Sequence, residues 1–154
     1  MRKLPLLLAL GALALGAGAA LAGTSVATVG SSTSRLGTLL VGTNGHTLYV
    51  FSADKKNKSN CTGGCTHNWP PLLTGAKPKT KGSAVKSGKL GTIKRGSSEQ
   101  VTYNGHPLYY YVADTVAGDT SGQDTKLDGG VWTVIGPNGS PITSSGKSKT
   151  KSGY

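Results

Sequence analysis

The chain has 154 residues, a formal net charge of +11 at pH 7 and two cysteines. We expect the first 22 residues to be a leader, and the 132 residues that follow match one domain of typically about 100–150 residues. Without Arg2 and Lys3 of the leader the charge is about +9, and this charge bears on binding partners rather than on the fold.

The N-terminus has the pattern of an export signal. Arg2 and Lys3 precede an apolar run from Leu4 to Leu21, and Ala22 completes a small-x-small cleavage pattern. A retained membrane anchor is the alternative, but glycines interrupt the run, and its length is at the lower edge of the roughly 17–25 residues that span a bilayer. We therefore predict a signal peptide over residues 1–22 and a bacterial protein that is secreted, periplasmic or attached to the cell envelope.

Composition divides the rest of the chain. Residues 23–36 are rich in Ser, Thr and Gly, and we expect a flexible lead-in. A domain over residues 37–143 follows, and its middle, residues 74–98, is a basic connection with seven Lys and Arg, no acidic residue and at most a short predicted strand. The basic tail, residues 144–154, has low complexity, and we expect it to be disordered.

The domain contains an internal repeat. Residues 41–54 read VGTNGHTLYVFSAD and residues 101–114 read VTYNGHPLYYYVAD, with 8 of 14 positions identical at an offset of 60. Such identity in a short window indicates a duplication, with repeats near residues 37–73 and 99–143.

Each repeat also carries a hairpin signal. Asn44-Gly45 and Asn104-Gly105 lie between β-favouring runs, and a type I′ turn needs positive φ at both central residues, which Asn-Gly supplies at low cost. A third hairpin is predicted around Pro137-Asn138-Gly139. The sequence therefore predicts a mainly β fold with few or no helices after the leader, in which three or more hairpins from two tandem repeats form a small antiparallel sheet or open barrel.

Side-chain parity indicates strands that are covered on both faces. Leu48 and Val50 point to one side of their strand and Tyr49 and Phe51 to the other, and the second repeat has the same alternation. We expect the segment that contains the cysteines and Trp69 to cover one of these faces.

Cys61 and Cys65 are predicted to form a disulfide, since an even cysteine pair in an exported protein is most simply oxidised. The alternatives are a redox-active thiol pair or a metal site in which His67 joins the two thiolates. The C-x3-C-x-H spacing offers three ligands, whereas a structural zinc site usually has four.

The repeats place His46 and His106 at equivalent positions, as they do Asp54 and Asp114. Each His is eight residues before the Asp of its own repeat, about 26 Å along a regular strand, so a shared metal would need His46 with Asp114 or His106 with Asp54. The simpler hypothesis, which we favour, is that each His flanks its turn and each Asp turns the chain at a strand end.

We find no complete catalytic constellation and predict no enzymatic activity and no cofactor. The chain has no G-x-S-x-G motif, and Glu99 is its only Glu. Asp119, Asp124 and Asp128 lie in one loop, but they lack the spacing and the closing Glu of a calcium-binding loop.

The aromatic residues are predicted to belong mostly to the core, because aliphatic residues are few. Tyr49, Asp54, Tyr109 and Asp114 are expected to hold the fold rather than bind a ligand. The separation of five residues puts the Tyr and Asp of one repeat on opposite faces, about 16 Å apart, so they are poor partners within a repeat. Each Asp is expected to accept backbone N–H bonds from the turn that follows it.

These motifs resemble a family of secreted repeats, also described as predicted lipoproteins with a Y-x-(F/W/Y)-x-x-D motif. The matching residues are Tyr49 with Asp54, Tyr109 with Asp114, Phe51 and Tyr111 at the aromatic position, the C-x3-C-x3-W-P-P run that contains Trp69, and the GG-x-W run that ends at Trp132. The resemblance implies an exported protein of unknown function and transfers no catalytic residue. No cysteine follows the predicted cleavage site directly, which favours a soluble form over a lipoprotein.

The function expected from the sequence is that of an exported, non-enzymatic β module that binds anionic wall polymers or the membrane surface through its positive charge. No sequence-specific nucleic-acid binding is expected. The alternative is an extracytoplasmic metal-binding or redox protein that uses Cys61 and Cys65 or the paired His46 and His106.

Overall fold

The computed structural model describes residues 25–143, so the predicted signal peptide and basic tail lie outside the described residues. Within them, one short helix and one 3-10 turn accompany ten strands. These elements are β1 (Thr28–Ser34), β2 (Gly37–Val41), β3 (Tyr49–Phe51), α1 (Cys65–Asn68), β4 (Leu73–Thr74), β5 (Lys79–Thr80), the 3-10 turn Ser87–Lys89, β6 (Leu90–Arg95), β7 (Ser98–Tyr103), β8 (His106–Pro107), β9 (Thr125–Leu127) and β10 (Gly130–Val134).

The strands form three small sheets, which confirms the predicted mainly β class. The described residues contain no closed barrel. One sheet has the order β2-β1-β5, the second β3-β10-β9, and the third β4-β7-β6 with β8 paired to β7. All of these pairings are antiparallel except β1 with β5. No helix of residues 25–143 is long and apolar enough to cross a membrane.

The lead-in prediction is wrong for half of its length. Residues 28–34 form β1, which pairs with β2 from Gly30 opposite Val41 to Ser34 opposite Gly37. The composition was misleading because Val29 alone anchors this strand in the core, while backbone pairing and the Ser34 side chain, which accepts the Leu36 N–H, stabilise the rest.

The basic connection is also more ordered than predicted. It contains β5 and the six-residue β6, which pairs with β7 from Leu90 opposite Tyr103 to Arg95 opposite Ser98. Val85, between these strands, is buried. In the basic connection the compositional argument failed because Lys94 is exposed while the backbone of its strand pairs with β7.

The two Asn-Gly turns differ. Asn104 and Gly105 have φ of 52° and 83°, as a type I′ turn requires, but in the first repeat only Gly45 has a positive φ, of 80°. There Gly45 N–H donates to Gly42 O and Gly42 N–H donates to His46 O, so a type I turn through Asn44 is followed by a bulge at the glycine. The predicted type I′ turn is wrong at this position, although the hairpin itself is present.

The core has two layers, one on each face of the motif strands, as the side-chain parity predicted. The first layer is mainly aliphatic and contains Leu48, Val50 and Leu108. The second is mainly aromatic, and in it the disulfide and Trp69 cover Tyr49 and Phe51.

The repeats exchange their last strands around an approximate twofold axis. Tyr49 and Tyr109 face each other on this axis, where each N–H donates to the other's carbonyl at 2.8 and 3.0 Å. Strand β3 of the first repeat pairs with β10 of the second, with Phe51 opposite Trp132. In the reverse direction, Tyr109 forms a bridge with Pro71 of the first repeat. Each repeat therefore completes the other.

Candidate functional site

The tyrosines and aspartates of the repeated motif form hydrogen-bonded pairs across the two repeats. The Tyr49 hydroxyl donates to Asp114 Oδ2 at 2.6 Å, and the Tyr109 hydroxyl donates to Asp54 Oδ2 at 2.8 Å. The spacing of the motif excluded a pair within one repeat but did not reveal this exchange. The equal offset of 60 between the tyrosines and between the aspartates was the signal that could have revealed it.

The second carboxylate oxygen of each Asp holds the loop that follows it. Asp54 Oδ1 accepts the backbone N–H of Asn60 at 2.6 Å, and Asp114 Oδ1 accepts that of Ser121 at 2.9 Å. These are the local bonds that the sequence analysis expected. Each carboxylate thus links its own loop to the tyrosine of the other repeat.

Burial dominates the electrostatics of these pairs. It raises the pKa of the Tyr49 hydroxyl, and the hydrogen bond to Asp114 raises it further. Burial likewise raises the pKa of the Tyr109 hydroxyl, and the negative charge of Asp54 adds to the shift. The pKa of the Asp54 carboxyl is also raised by burial, although its hydrogen bonds from Asn60 and Tyr109 act in the opposite direction.

Four aromatic rings form a continuous stack beside these pairs, in the order Tyr111, Trp69, Trp132 and Phe51. Their successive centroids are 4.3, 4.0 and 4.2 Å apart, with interplanar angles of 22°, 3° and 9°. The two tryptophans are fully buried, and Tyr111 is half-buried. The stack has the same approximate twofold symmetry as the backbone, since Phe51 and Tyr111 are equivalent positions of the repeat.

The paired tyrosines meet this stack edge-on. Tyr49 lies against Trp69 with a centroid distance of 5.4 Å, and Tyr109 lies against Trp132 at 5.0 Å. All four of these rings are fully buried. These aromatic rings therefore belong to the core, as predicted.

Cys61 and Cys65 form a disulfide, as predicted. Their loop is fixed to the second repeat by Arg95, whose guanidinium donates to the Cys61 carbonyl and, at 2.8 Å, to both Ser59 Oγ and Gln100 Oε1. From the sequence, Arg95 belonged to the basic connection and had no predicted structural role, because nothing in its position indicates that the side chain turns inward.

The predicted metal ligands do not come together. Within residues 25–143 no three His, Cys, Asp or Glu side chains are placed to hold a metal ion. The thiols are consumed by the disulfide, which also removes the thiolates that the grouping with His67 needed. His106 and Asp54 line one cavity of about 400 Å³, but both oxygens of Asp54 accept hydrogen bonds from other residues. The structure gives no support to the alternative of a metal-binding or thiol-redox protein, in which His46 and His106 were also candidate metal ligands.

The loop with three aspartates is built as a series of turns. Asp119 Oδ2 accepts the backbone N–H groups of Thr115 and Val116 at 2.9 and 3.1 Å. Asp124 and Asp128 have positive φ, of 59° and 55°. These conformations are typical of turn residues, and the loop does not gather its carboxylates around one point.

Three lysines, Lys77, Lys79 and Lys81, lie on or beside the two-residue strand β5, at one end of the β2-β1-β5 sheet. Lys79 and Lys81 donate their backbone N–H groups to Ala27 and Val29, so the strand is regular and both side chains point to the same side, exposed. Lys81 also lines a cavity of about 310 Å³ together with the hydroxyl residues Thr28 and Ser31.

The fold, the exchanged strands and the reciprocal Tyr–Asp pairs define a class of two-repeat β domains. A family model described as a secreted repeat of unknown function matches the chain twice, at residues 30–73 and 91–135. These matches span more than half of the chain, which therefore belongs to this family of secreted repeat proteins, as the motifs indicated. No significant match is found among curated proteins or solved structures.

Proposed function

We propose that this domain is a non-enzymatic module of the bacterial cell envelope that binds anionic wall polymers or anionic lipid head groups. The observation that carries the proposal is the edge of the β2-β1-β5 sheet, where Lys79 of β5 and Lys81 next to it project to the same side. Lys77, two residues earlier, is also exposed. Three ammonium groups at this spacing attract a chain of phosphates or carboxylates more strongly than scattered charges do.

The environment of these lysines supports the same class of partner. The segment from residue 74 to residue 98 contains no acidic side chain, and Glu99, which follows it, lines a cavity with Lys77 but not with Lys79 or Lys81. The cavity beside Lys81 adds the hydroxyls of Thr28 and Ser31, which can donate hydrogen bonds to phosphate oxygens. Arg95 is engaged in the interior and Lys86 donates to the Ser83 carbonyl, so we assign the interaction to Lys77, Lys79 and Lys81.

Cosedimentation with purified bacterial cell wall and with vesicles that contain phosphatidylglycerol tests the proposal. Binding should occur at low salt and weaken steeply as salt rises, because exposed charges are screened within about 10 Å at 0.1 M ionic strength. Changing Lys77, Lys79 and Lys81 together to Gln should abolish most of the binding.

The matched control is the turn Lys55, Lys56 and Lys58, whose lysines are also exposed. Changing these three to Gln removes the same charge, and binding should be largely retained. An equal loss in both triple variants would show that net charge rather than the β5 surface is responsible. Absence of binding to either material at low salt would overturn the proposed function.

A further inference from the structure

The six core rings described above have a feature that packing alone does not require. Both tryptophan indole N–H groups are buried and have no hydrogen-bond partner among the described residues. Both neighbouring tyrosine hydroxyls, by contrast, donate to a carboxylate at 2.6 and 2.8 Å. Tyr49 and Tyr109 thus have a proton acceptor, and the two tryptophans of the cluster do not.

This arrangement matters for the loss of an electron. A phenol or indole that loses one electron becomes a strong acid, and the resulting radical is stabilised when its proton passes to a base. Trp69 and Trp132 cannot release their protons in place, whereas Tyr49 and Tyr109 can transfer theirs to Asp114 and Asp54. When one ring of the stack loses an electron, the radical is therefore most stable at Tyr49 or Tyr109.

The stack also provides a route from the surface. Tyr111 is half-buried and lies on Trp69 at 4.3 Å, and Trp69 lies on Trp132 at 4.0 Å. Ring contacts this close allow fast electron transfer between neighbours. Tyr49 and Tyr109 touch the two tryptophans edge-on, so each acceptor pair is one contact away from the stack.

We propose that this core is a redox relay that takes one oxidising equivalent from a one-electron oxidant at the surface and holds it as a neutral tyrosyl radical at Tyr49 or Tyr109. The oxidant, a high-potential metal complex or an oxygen-centred radical, gains one electron. The tyrosine loses that electron, and its hydroxyl proton moves to the paired aspartate, which becomes neutral. The step uses neither the disulfide nor the histidines and is independent of anion binding.

Flash photolysis with photogenerated tris(bipyridine)ruthenium(III) as the oxidant tests this inference on the full chain. The parent should give a tyrosyl radical absorbance whose formation is slower in D2O than in H2O. Changing both Tyr49 and Tyr109 to Phe keeps the rings but removes the hydroxyls, and most of the tyrosyl signal should be replaced by that of a tryptophan radical.

The matched control is Tyr103→Phe. Tyr103 is equally buried, but its hydroxyl donates to the Pro137 carbonyl rather than to a carboxylate. This variant should keep the parent signal, and circular dichroism of all variants establishes that they fold. The inference is overturned if the Tyr49 and Tyr109 variant keeps its tyrosyl signal, if Tyr103→Phe loses as much, or if deuterium has no effect on the rate.

Discussion

The two repeats reach the same Tyr–Asp geometry with different supports. In the first repeat, the loop after Asp54 is held by the disulfide and by Arg95, which reaches in from the second repeat. In the second, the loop after Asp114 is held by the Asp119 turn and by Gln123, whose amide bonds the backbone of Val134 and Ile142.

This difference shows that the motif determines the contact between the repeats but not the way in which each loop is closed. The motif determines the contact between the repeats, because each carboxylate must reach the tyrosine of the other repeat. The closure of the loops is local and can be achieved by a covalent bond or by hydrogen bonds. The repeats also differ in burial, since Asp114 is only 4% exposed whereas Asp54 is half-buried.

The largest expected effect comes from the residues that the repeats share. Tyr49→Ala and Tyr109→Ala should each lower the free energy of unfolding by about 3–5 kcal/mol, because both rings are fully buried and removal leaves a cavity. Denaturant unfolding measures these losses. Tyr49→Phe keeps the ring and should cost clearly less than Tyr49→Ala. Alanine variants that unfold like the parent would contradict a structural role for the motif.

The aspartates should differ between the repeats. In Asp114→Asn the NH2 group of the amide must face either Ser121 N–H or the Tyr49 hydroxyl, and the Tyr49 oxygen already accepts Gly122 N–H. Either Ser121 N–H or the Tyr49 O–H therefore loses its acceptor, at a cost of about 1–3 kcal/mol. Asp54→Asn should cost less, since the Tyr109 hydroxyl also has Ser59 Oγ at 2.7 Å. Thermal unfolding measures both, and Asp128→Asn, an exposed site, is the control.

The stability of the aspartate variants can also be compared as a function of pH. The folded-state pKa of Asp54 is raised above 3.8, so its contribution to stability is complete below that pH and is lost as pH rises through the folded pKa. Asp54→Asn should flatten the dependence of the unfolding free energy on pH in this window, as measured by denaturant unfolding at a series of pH values. An unchanged slope in Asp54→Asn would contradict the raised pKa.

The disulfide distinguishes the first repeat from the second. It spans four positions in sequence, and the loop-entropy estimate for so short a loop is about 2 kcal/mol. Changing both cysteines to Ala should therefore destabilise the protein by about this amount without separating the repeats, because the Tyr109–Asp54 pair remains. Loss of folding in the double variant would show that the first repeat depends on covalent closure.

Much of this architecture follows from local sequence signals. The two-residue periodicity around Tyr49 predicted that this strand is covered on both faces, and the Asn-Gly pairs predicted the positions of the hairpins. The exchange of strands could not be predicted in the same way, because the pairing of Phe51 with Trp132 joins residues far apart in sequence. The inward turn of Arg95 is likewise a tertiary effect, since nothing distinguishes it from the exposed Lys94 in the sequence.

The smallest expected effect compares the two Asn-Gly turns. Asn104 has a φ of 52°, in which alanine is disfavoured by about 1–2 kcal/mol, so Asn104→Ala should lower the free energy of unfolding by that amount. Asn44 does not have a positive φ, and Asn44→Ala should cost less. Asn104→Gly, which tolerates this conformation, is the control. Equal losses at the two positions would contradict the assigned turn types.

The exchange of final strands has a consequence for how the chain acquires its structure. Residues that emerge early, such as Tyr49, bond to partners near Asp114 and Trp132 that emerge last. The first half therefore cannot complete its aromatic layer while the second half is still being synthesised or translocated. Since formation of such distant contacts is slow, we expect one late, cooperative folding transition and a period in which the nascent first half is open to proteases.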